Sequence, residues 1–302
     1  MDNLKTVNDF EKALNKVYLS TTKKCDDNRF DIVYSITFHE QVICMLDQLM
    51  NILTFNHLNK VVIICSINET IHKELQGIRL PPNIIIHPFI RSPHARMLWN
   101  TNLFAAHMNN FELVKNIKFD YFCTLASNEM FIKNIDINII KKNIVLEKKE
   151  FVPSEPIKIL DKLNSWVHYK PFMANYYMCS FFVKNNLEPF SLQHEGLVLP
   201  KKILYEVLSL YKKDNFNNKT INTQDLLLEE VFIPTYLHNN YNFNDFVLTQ
   251  RDFDSYSISL KEIEESKLYS VKRVPRDINN NIRCYIRNRY ITYLTLCLNV
   301  HL

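Results

Sequence analysis

The sequence predicts an α/β fold: a doubly wound, mostly parallel central sheet flanked by helices. Three observations predict it. Four apolar runs, "FDIVYSITF", "KVVIICS", "PNIIIHPF" and "FDYFCTLA", fall within about 100 residues, each of strand length and bounded by polar residues. Two of the intervals between them carry apolar residues at helical rather than alternating spacing. No internal repeat, low-complexity segment or Pro/Gly/Ser linker divides the chain, so these units belong to one domain.

Taken in order, residues 1–28 read as an N-terminal extension, a short helix followed by the polar run "STTKKCDDN", and the domain proper spans 29–302. After the first strand, "EQVICMLDQLMNILTF" places Val42, Leu46, Leu49 and Leu53 on one helical face. "KVVIICS" is the β-branched run expected of a parallel strand covered on both faces. "PNIIIHPF" follows as a strand, and "MLWNTNLFAAHMNNFELV" as a helix with Phe104, Met108 and Phe111 in register. "FDYFCTLA" closes this half. In such sheets ligands sit beyond the C-terminal strand ends, here Ser35 to Glu40, Cys65 to Asn68 and Ser127 to Glu129. Residues 135–195 read as an aromatic-rich, acceptor-side insertion. "GLVLPKKILYEVLSLYKK" reads as a short strand and a helix with Pro200 at its first position and Ile203, Val207 and Leu210 on one face. In "TQDLLLEEVFIPTYL" the spacing predicts a helix that Pro234 ends or kinks. The tail, 267–302, alternates basic and aromatic residues.

Composition narrows the chemistry. With 36 Lys+Arg against 32 Asp+Glu the net charge is +4, a mild bias compatible with a phosphate-bearing ligand or an anionic membrane surface. Two glycines in 302 residues exclude a glycine-rich phosphate loop, so side chains or helix ends must hold any phosphate. Seven scattered cysteines without a CxxC pair, the absence of a signal pattern in "MDNLKTVNDFEK" and the lack of an apolar window of about 18 residues lead to the expectation of a cytoplasmic protein with reduced thiols. The ten histidines form no HxH or HxxxH pair, and no metal is expected. Asp252 and Asp254 make the one literal Asp-x-Asp, but it lies far from the strand ends and reads as a capped turn.

Read in order from about residue 31 to 275, the segments resemble the core-2/I-branching β-1,6-N-acetylglucosaminyltransferases and xylosyltransferases, including their bacterial relatives. "YSITFHEQVICMLDQLMNIL" looks like the family's opening strand and helix, with His39 on its histidine. "LWNTNLFAAHMNNFEL" resembles its tryptophan-containing helix. "FCTLASNEMFIKN" is similar to its "L.G.D.PIK" turn, with Ser127 for the glycine and Glu129 for the aspartate. "EEVFIPTYL" resembles its "DE....T" helix, which implies Glu230 as catalytic base, with Glu229 the fallback one register away. Arg251 in "LTQRDF" and Lys272 in "YSVKRV" look like its diphosphate-binding arginine and lysine. Two departures stand out: the family's "GS" reads His194, Glu195, Gly196 here, and its secretory stem and cysteine framework are absent, which points to an intracellular bacterial or viral version.

The resemblance implies a Rossmann-like GT-A type glycosyltransferase. It would move GlcNAc or a related sugar, with inversion and without a metal, from a UDP-sugar to a glycan acceptor in surface polysaccharide or lipooligosaccharide synthesis. Inverting transfer needs a base for the acceptor hydroxyl and positive charge for the leaving diphosphate. Glu230 supplies the first; Arg251, Lys272 and Arg273 supply the second, arginine as a bidentate fork and lysine as a point charge. His39 and Ser66, at strand ends, are expected nucleotide contacts. Glu129, His194 and Glu195 are expected to contact sugar or acceptor, Glu129 as acceptor for a sugar hydroxyl. The rival reading is a non-enzymatic module binding nucleic acid or acidic lipid through the tail, where Arg283, Arg287 and Arg289 interleave with Tyr285 and Tyr290. For the enzyme no nucleic-acid partner is expected, and the tail is read as a helix with a solvated basic face that can touch the inner membrane surface, where a lipid-linked acceptor would reside.

Overall fold

The structure of the chain, a computed structural model, describes residues 4–21, 29–89, 102–144, 146–148, 169–217, 228–243, 247–250 and 257–300. Helix α1 (Val7–Thr21) is followed by strand β1 (Arg29–Phe38), α2 (Val42–Phe55), β2 (Val61–Ile67), α3 (Glu69–Glu74), β3 (Ile84–Pro88), α4 (Asn102–Val114) and β4 (Lys118–Ala126). Beyond these lie β5 (Met130–Phe131), α5 (Ile137–Asn143), β6 (Leu146–Lys148), α6 (Tyr169–Ala174), α7 (Tyr176–Lys184), β7 (Val198–Pro200) and α8 (Lys201–Lys212). The chain ends with α9 (Phe232–Asn240), β8 (Tyr241–Phe243), β9 (Thr249–Gln250), α10 (Leu260–Glu265), β10 (Ser270–Val271) and α11 (Asn281–Leu298).

The main sheet runs β3-β2-β1-β4-β7, parallel except for β7, which pairs antiparallel with β4. Its residues alternate between two cores, as the period of two demands. Ile32, Tyr34 and Ile36 of β1 face α1, α2 and α11, whereas Val33 with Val62 and Ile64 faces α4, α7, α8 and α9. Each buried aliphatic or aromatic side chain of this kind contributes about 2 kcal/mol relative to exposure, which is why β2, apolar on both faces, sits inside the sheet. A small sheet, β5-β10-β9, packs below the end of β4, and β6 pairs with β8.

Several expectations change on contact with the fold. The boundary at 28/29 separates α1 from β1, yet α1 is part of the core: Phe10, Leu14 and Val17 are fully buried with α2. Pro234 neither ends nor kinks its helix, because it lies in the first turn of α9, where its missing N–H has no partner to lose. Pro200 is the residue before α8 rather than its first. The expected solvated basic face of the tail is corrected most sharply. Arg283 and Arg287 of α11 turn inward onto Asp47 of α2, with N–O distances of 2.9 Å each, and the Tyr290 hydroxyl donates to the same carboxylate at 2.6 Å. A buried aspartate without cations would carry a large desolvation cost, so the two arginines and α11 are held down as a unit. Those residues are withdrawn from any polyanion surface. Among the described residues no helix is long and apolar enough to cross a membrane.

Candidate functional site

The sheet order reverses between β1 and β4, since the chain builds β2 and β3 on one side of β1 before returning to the other. At such a reversal the connections leave in opposite directions and open a crevice beyond the strand ends. β1 delivers His39 and Glu40 there, and β4 delivers Ser127 to Glu129. Polar groups of α2 fix the second turn: Gln48 Nε2 donates to the Ala126 carbonyl at 2.9 Å, and Asn51 exchanges bonds of 2.9 and 2.7 Å with the Phe131 backbone. Across the crevice the Ser127 hydroxyl donates to the Glu40 carboxylate, and Arg276 Nε reaches the same oxygen at 2.5 Å.

Glu129, expected to meet a sugar hydroxyl, is buried and bonded internally. Its carboxylate accepts from Ala126 N at 3.1 Å, from Ser270 Oγ at 3.0 Å and from Thr249 Oγ1. It therefore ties the β4 turn to β9 and β10 instead of facing solvent. Burial raises its pKa to about 7, against the lowering effect of those donors. The neighbouring "HEG" segment is positioned by β4: Gly196 N donates to the Thr124 carbonyl at 2.8 Å, and Thr124 Oγ1 to the His194 carbonyl at 2.6 Å. Gly196 has φ +69, and a Cβ there would run into the side chain of Thr249. Glycine is required on both counts.

This turn aims His194 and Glu195 inward. Glu195 pairs with Lys272, and its other oxygen lies 3.8 Å from His194 Nδ1. Burial alone would raise its pKa, but His194 and Lys272 outweigh it and bring Glu195 to about 2. Glu229 does the reverse. Buried, and repelled by Glu230 and Glu195, its carboxyl is pushed well above the usual carboxylate range. It occupies the middle of a 3-10 turn (Leu228–Glu230), with Glu230 at the turn's partly exposed end. Neighbouring carboxyls whose pKa values are pushed in opposite directions are the pattern from which acid–base sites are built.

A relay inside the sheet adds a fourth group. Asn110 Nδ2 points at the Ile36 and Ile64 carbonyls and donates to Ser35 Oγ at 2.8 Å, and Ser35 Oγ shares a hydrogen bond of 2.7 Å with His107 Nδ1. The His107 and His194 rings lie together, with centroids 5.7 Å apart. Burial, together with the nearby His194, lowers the His107 pKa to about 3 and keeps it neutral.

Of the expected site residues, Glu129, His194, Glu195 and Lys272 come together around this cluster, with Glu229 and Glu230 beside it. Ser66 does not reach the crevice: it is buried on the sheet, donating to Asn110 Oδ1 at 2.7 Å and lying 3.0 Å from His87 Nε2. His39 stands at the mouth, 3.8 Å from Glu40. Arg273 adopts a left-handed backbone, φ 66, at the tip of the loop carrying Lys272. Arg251, Asp252 and Asp254 lie outside the described residues. Glu40, His107 and Arg276 were not singled out from the sequence; position was the signal for Glu40, one of the strand-end residues, and clustering was the signal for Arg276 in "SVKRVPR".

No protein-family model matches the chain, and no curated protein matches it.

Proposed function

We propose that the chain is a glycosyltransferase that moves GlcNAc or a related sugar, with inversion, from a UDP-sugar to a glycan acceptor. One observation carries the reading: a loop bearing Lys272, Arg273 and Arg276 lies over the reversal point of a mostly parallel sheet, beside buried carboxyls whose pKa values are pushed in opposite directions. Cations at a crevice of this kind suit a nucleotide diphosphate, and an acid–base cluster within reach suits activation of a hydroxyl. The resemblance to the core-2/I-branching and xylosyltransferase family supports the same reading, as does the antiparallel β7 extending the sheet on the β4 side. We read the fold as a Rossmann-like GT-A type.

In this mechanism the acceptor oxygen attacks the anomeric carbon as Glu230 takes its proton. The bond from that carbon to the diphosphate oxygen breaks, and UDP leaves with the electron pair. Lys272, Arg273 and Arg251 stabilise the charge that develops on it. Glu230 is preferred over its neighbours because Glu229 is buried, which pushes its pKa upward, whereas Glu230 is partly exposed, and Glu195 is committed to Lys272. Glu129 becomes a positioning residue for the turn. The enzyme would work at the inner face of the membrane or in the cytoplasm, and its reaction would need no added metal. Turnover of UDP-sugars in excess EDTA tests this: persistence is expected, and strict dependence on an added divalent ion contradicts the metal-free mechanism. Glu230→Gln is expected to abolish transfer while leaving UDP affinity intact; near-normal turnover would remove Glu230 as base.

A further inference from the structure

The loop from Lys272 to Arg276 is pinned at several points. Lys272 N donates to the Gln250 carbonyl at 3.2 Å, Val274 N to the Asn128 carbonyl at 3.0 Å, and the Cys44 thiol to the Arg276 carbonyl at 3.3 Å. Its two end cations are each seated on a buried carboxylate from a different part of the sheet. Lys272 is 26% exposed over Glu195 at 4%, and Arg276 is 39% exposed over Glu40 at 4%. Ordinary surface pairs of this molecule look different: in Lys73–Glu69 both partners are open, at 68% and 81%. In the loop the anions lie inside and the cations face out, so each cation is held in place from behind.

From this arrangement we propose that Arg276 contacts the donor's diphosphate and that Glu40 is its positioning residue. The inference rests on the nucleotide-sugar reading above and extends it. Glu40 is fixed twice, by Ser127 from the end of β4 and by Arg276 itself, and it follows directly from β1, so the guanidinium stands between the two strands whose ends define the crevice. A guanidinium already anchored loses little side-chain freedom when it binds, and its planar fork matches phosphate oxygens in a way an ammonium does not. Two anchored cations four residues apart, with Arg273 between them, suit two linked phosphoryl groups better than one. The site therefore discriminates a nucleoside diphosphate from a monophosphate.

Calorimetric titration with UDP, UMP and uridine tests this in the full chain, with Arg276→Ala, Arg276→Lys and Glu40→Gln. Arg289→Ala on α11 serves as a control that removes a charge elsewhere. Arg276→Ala is expected to weaken UDP at least tenfold, UMP less, and uridine not at all, with the control unchanged. Arg276→Lys should recover only part of the loss, because the charge returns without the fork. Glu40→Gln keeps the arginine but releases it, and is expected to weaken UDP severalfold at unchanged uridine affinity. A purely structural role would instead lower UDP and uridine binding in parallel. UDP affinity indifferent to Arg276→Ala or Arg276→Lys overturns the contact, and tighter UDP binding by Glu40→Gln overturns the positioning role, since Glu40 would then be competing with the phosphate. Failure of the unmodified chain to bind UDP overturns the donor reading beneath it, a distinct result.

Discussion

Glu129 offers a prediction whose sign is set by its burial. With a folded pKa of about 7 against an ordinary value of 4.5, the folded protein holds this proton more tightly than the unfolded chain between those pH values. Stability from this group is therefore fully present below about pH 4.5 and is lost as pH rises toward and past 7. The gap corresponds to about 3 kcal/mol at most, of which about 2 kcal/mol or somewhat more is lost between pH 5 and 8. Glu129→Gln keeps the shape and an acceptor for Thr249 and Ser270 but cannot ionise. Urea denaturation of both proteins at several pH values isolates the effect, because the raised Glu229 titrates in both and cancels in the difference. The native protein should lose about 2 kcal/mol relative to Glu129→Gln between pH 5 and 8. A flat difference, or one that grows in favour of the native protein, refutes the assignment of a buried, proton-retaining Glu129.

Other consequences follow from the same geometry. Asp47→Ala leaves Arg283 buried without its anion and releases Arg287 and Tyr290, and is expected to cost about 3–5 kcal/mol in urea denaturation; a loss near zero contradicts the view of α11 as docked through this cluster. Gly196→Ala combines a positive φ with collision against Thr249, and about 1–3 kcal/mol of destabilisation is expected by thermal denaturation. Burial pushes the Glu229 carboxyl toward its uncharged form, so Glu229→Gln is a mild change and turnover should survive it, in contrast to Glu230→Gln. At low pH, Glu195 works in the opposite sense to Glu129: its stabilisation is lost as pH falls from about 4.5 toward 2, and Glu195→Gln should flatten that limb of the stability profile.

Much of the first half of the fold was legible because its signals are local. The apolar runs of β1, β2, β3 and β4 and the helical spacing in α2 and α4 appear in the structure where periodicity places them. Short elements escape: β5, β9 and β10 are two residues each, too brief for any period, yet β9 and β10 hold Thr249 and Ser270, the side-chain partners of Glu129. Helix α3 was missed for a similar reason, although Asn68 caps it by accepting from Ile71 N at 2.9 Å. The largest misreading was the tail. Arg283 and Arg287 have the appearance of surface charges because the aspartate they meet lies 236 and 240 residues away. Periodicity cannot see a partner at that distance. Likewise, nothing in "LLEEV" distinguishes Glu229 from Glu230; only the 3-10 turn decides that the first is buried and the second reaches the surface. Ser66 stands at a strand end, but its hydroxyl follows the pleat onto Asn110 rather than into the crevice.

The central claim is that the crevice between β1 and β4 receives a nucleotide diphosphate. Calorimetric titration of the unmodified chain with UDP in excess EDTA, at two salt concentrations, tests it most directly. A single saturable site that binds UDP more tightly than uridine, and that a UDP-sugar displaces, is the predicted result. No saturable binding, or a weak salt-sensitive association shared by every polyanion, would contradict it.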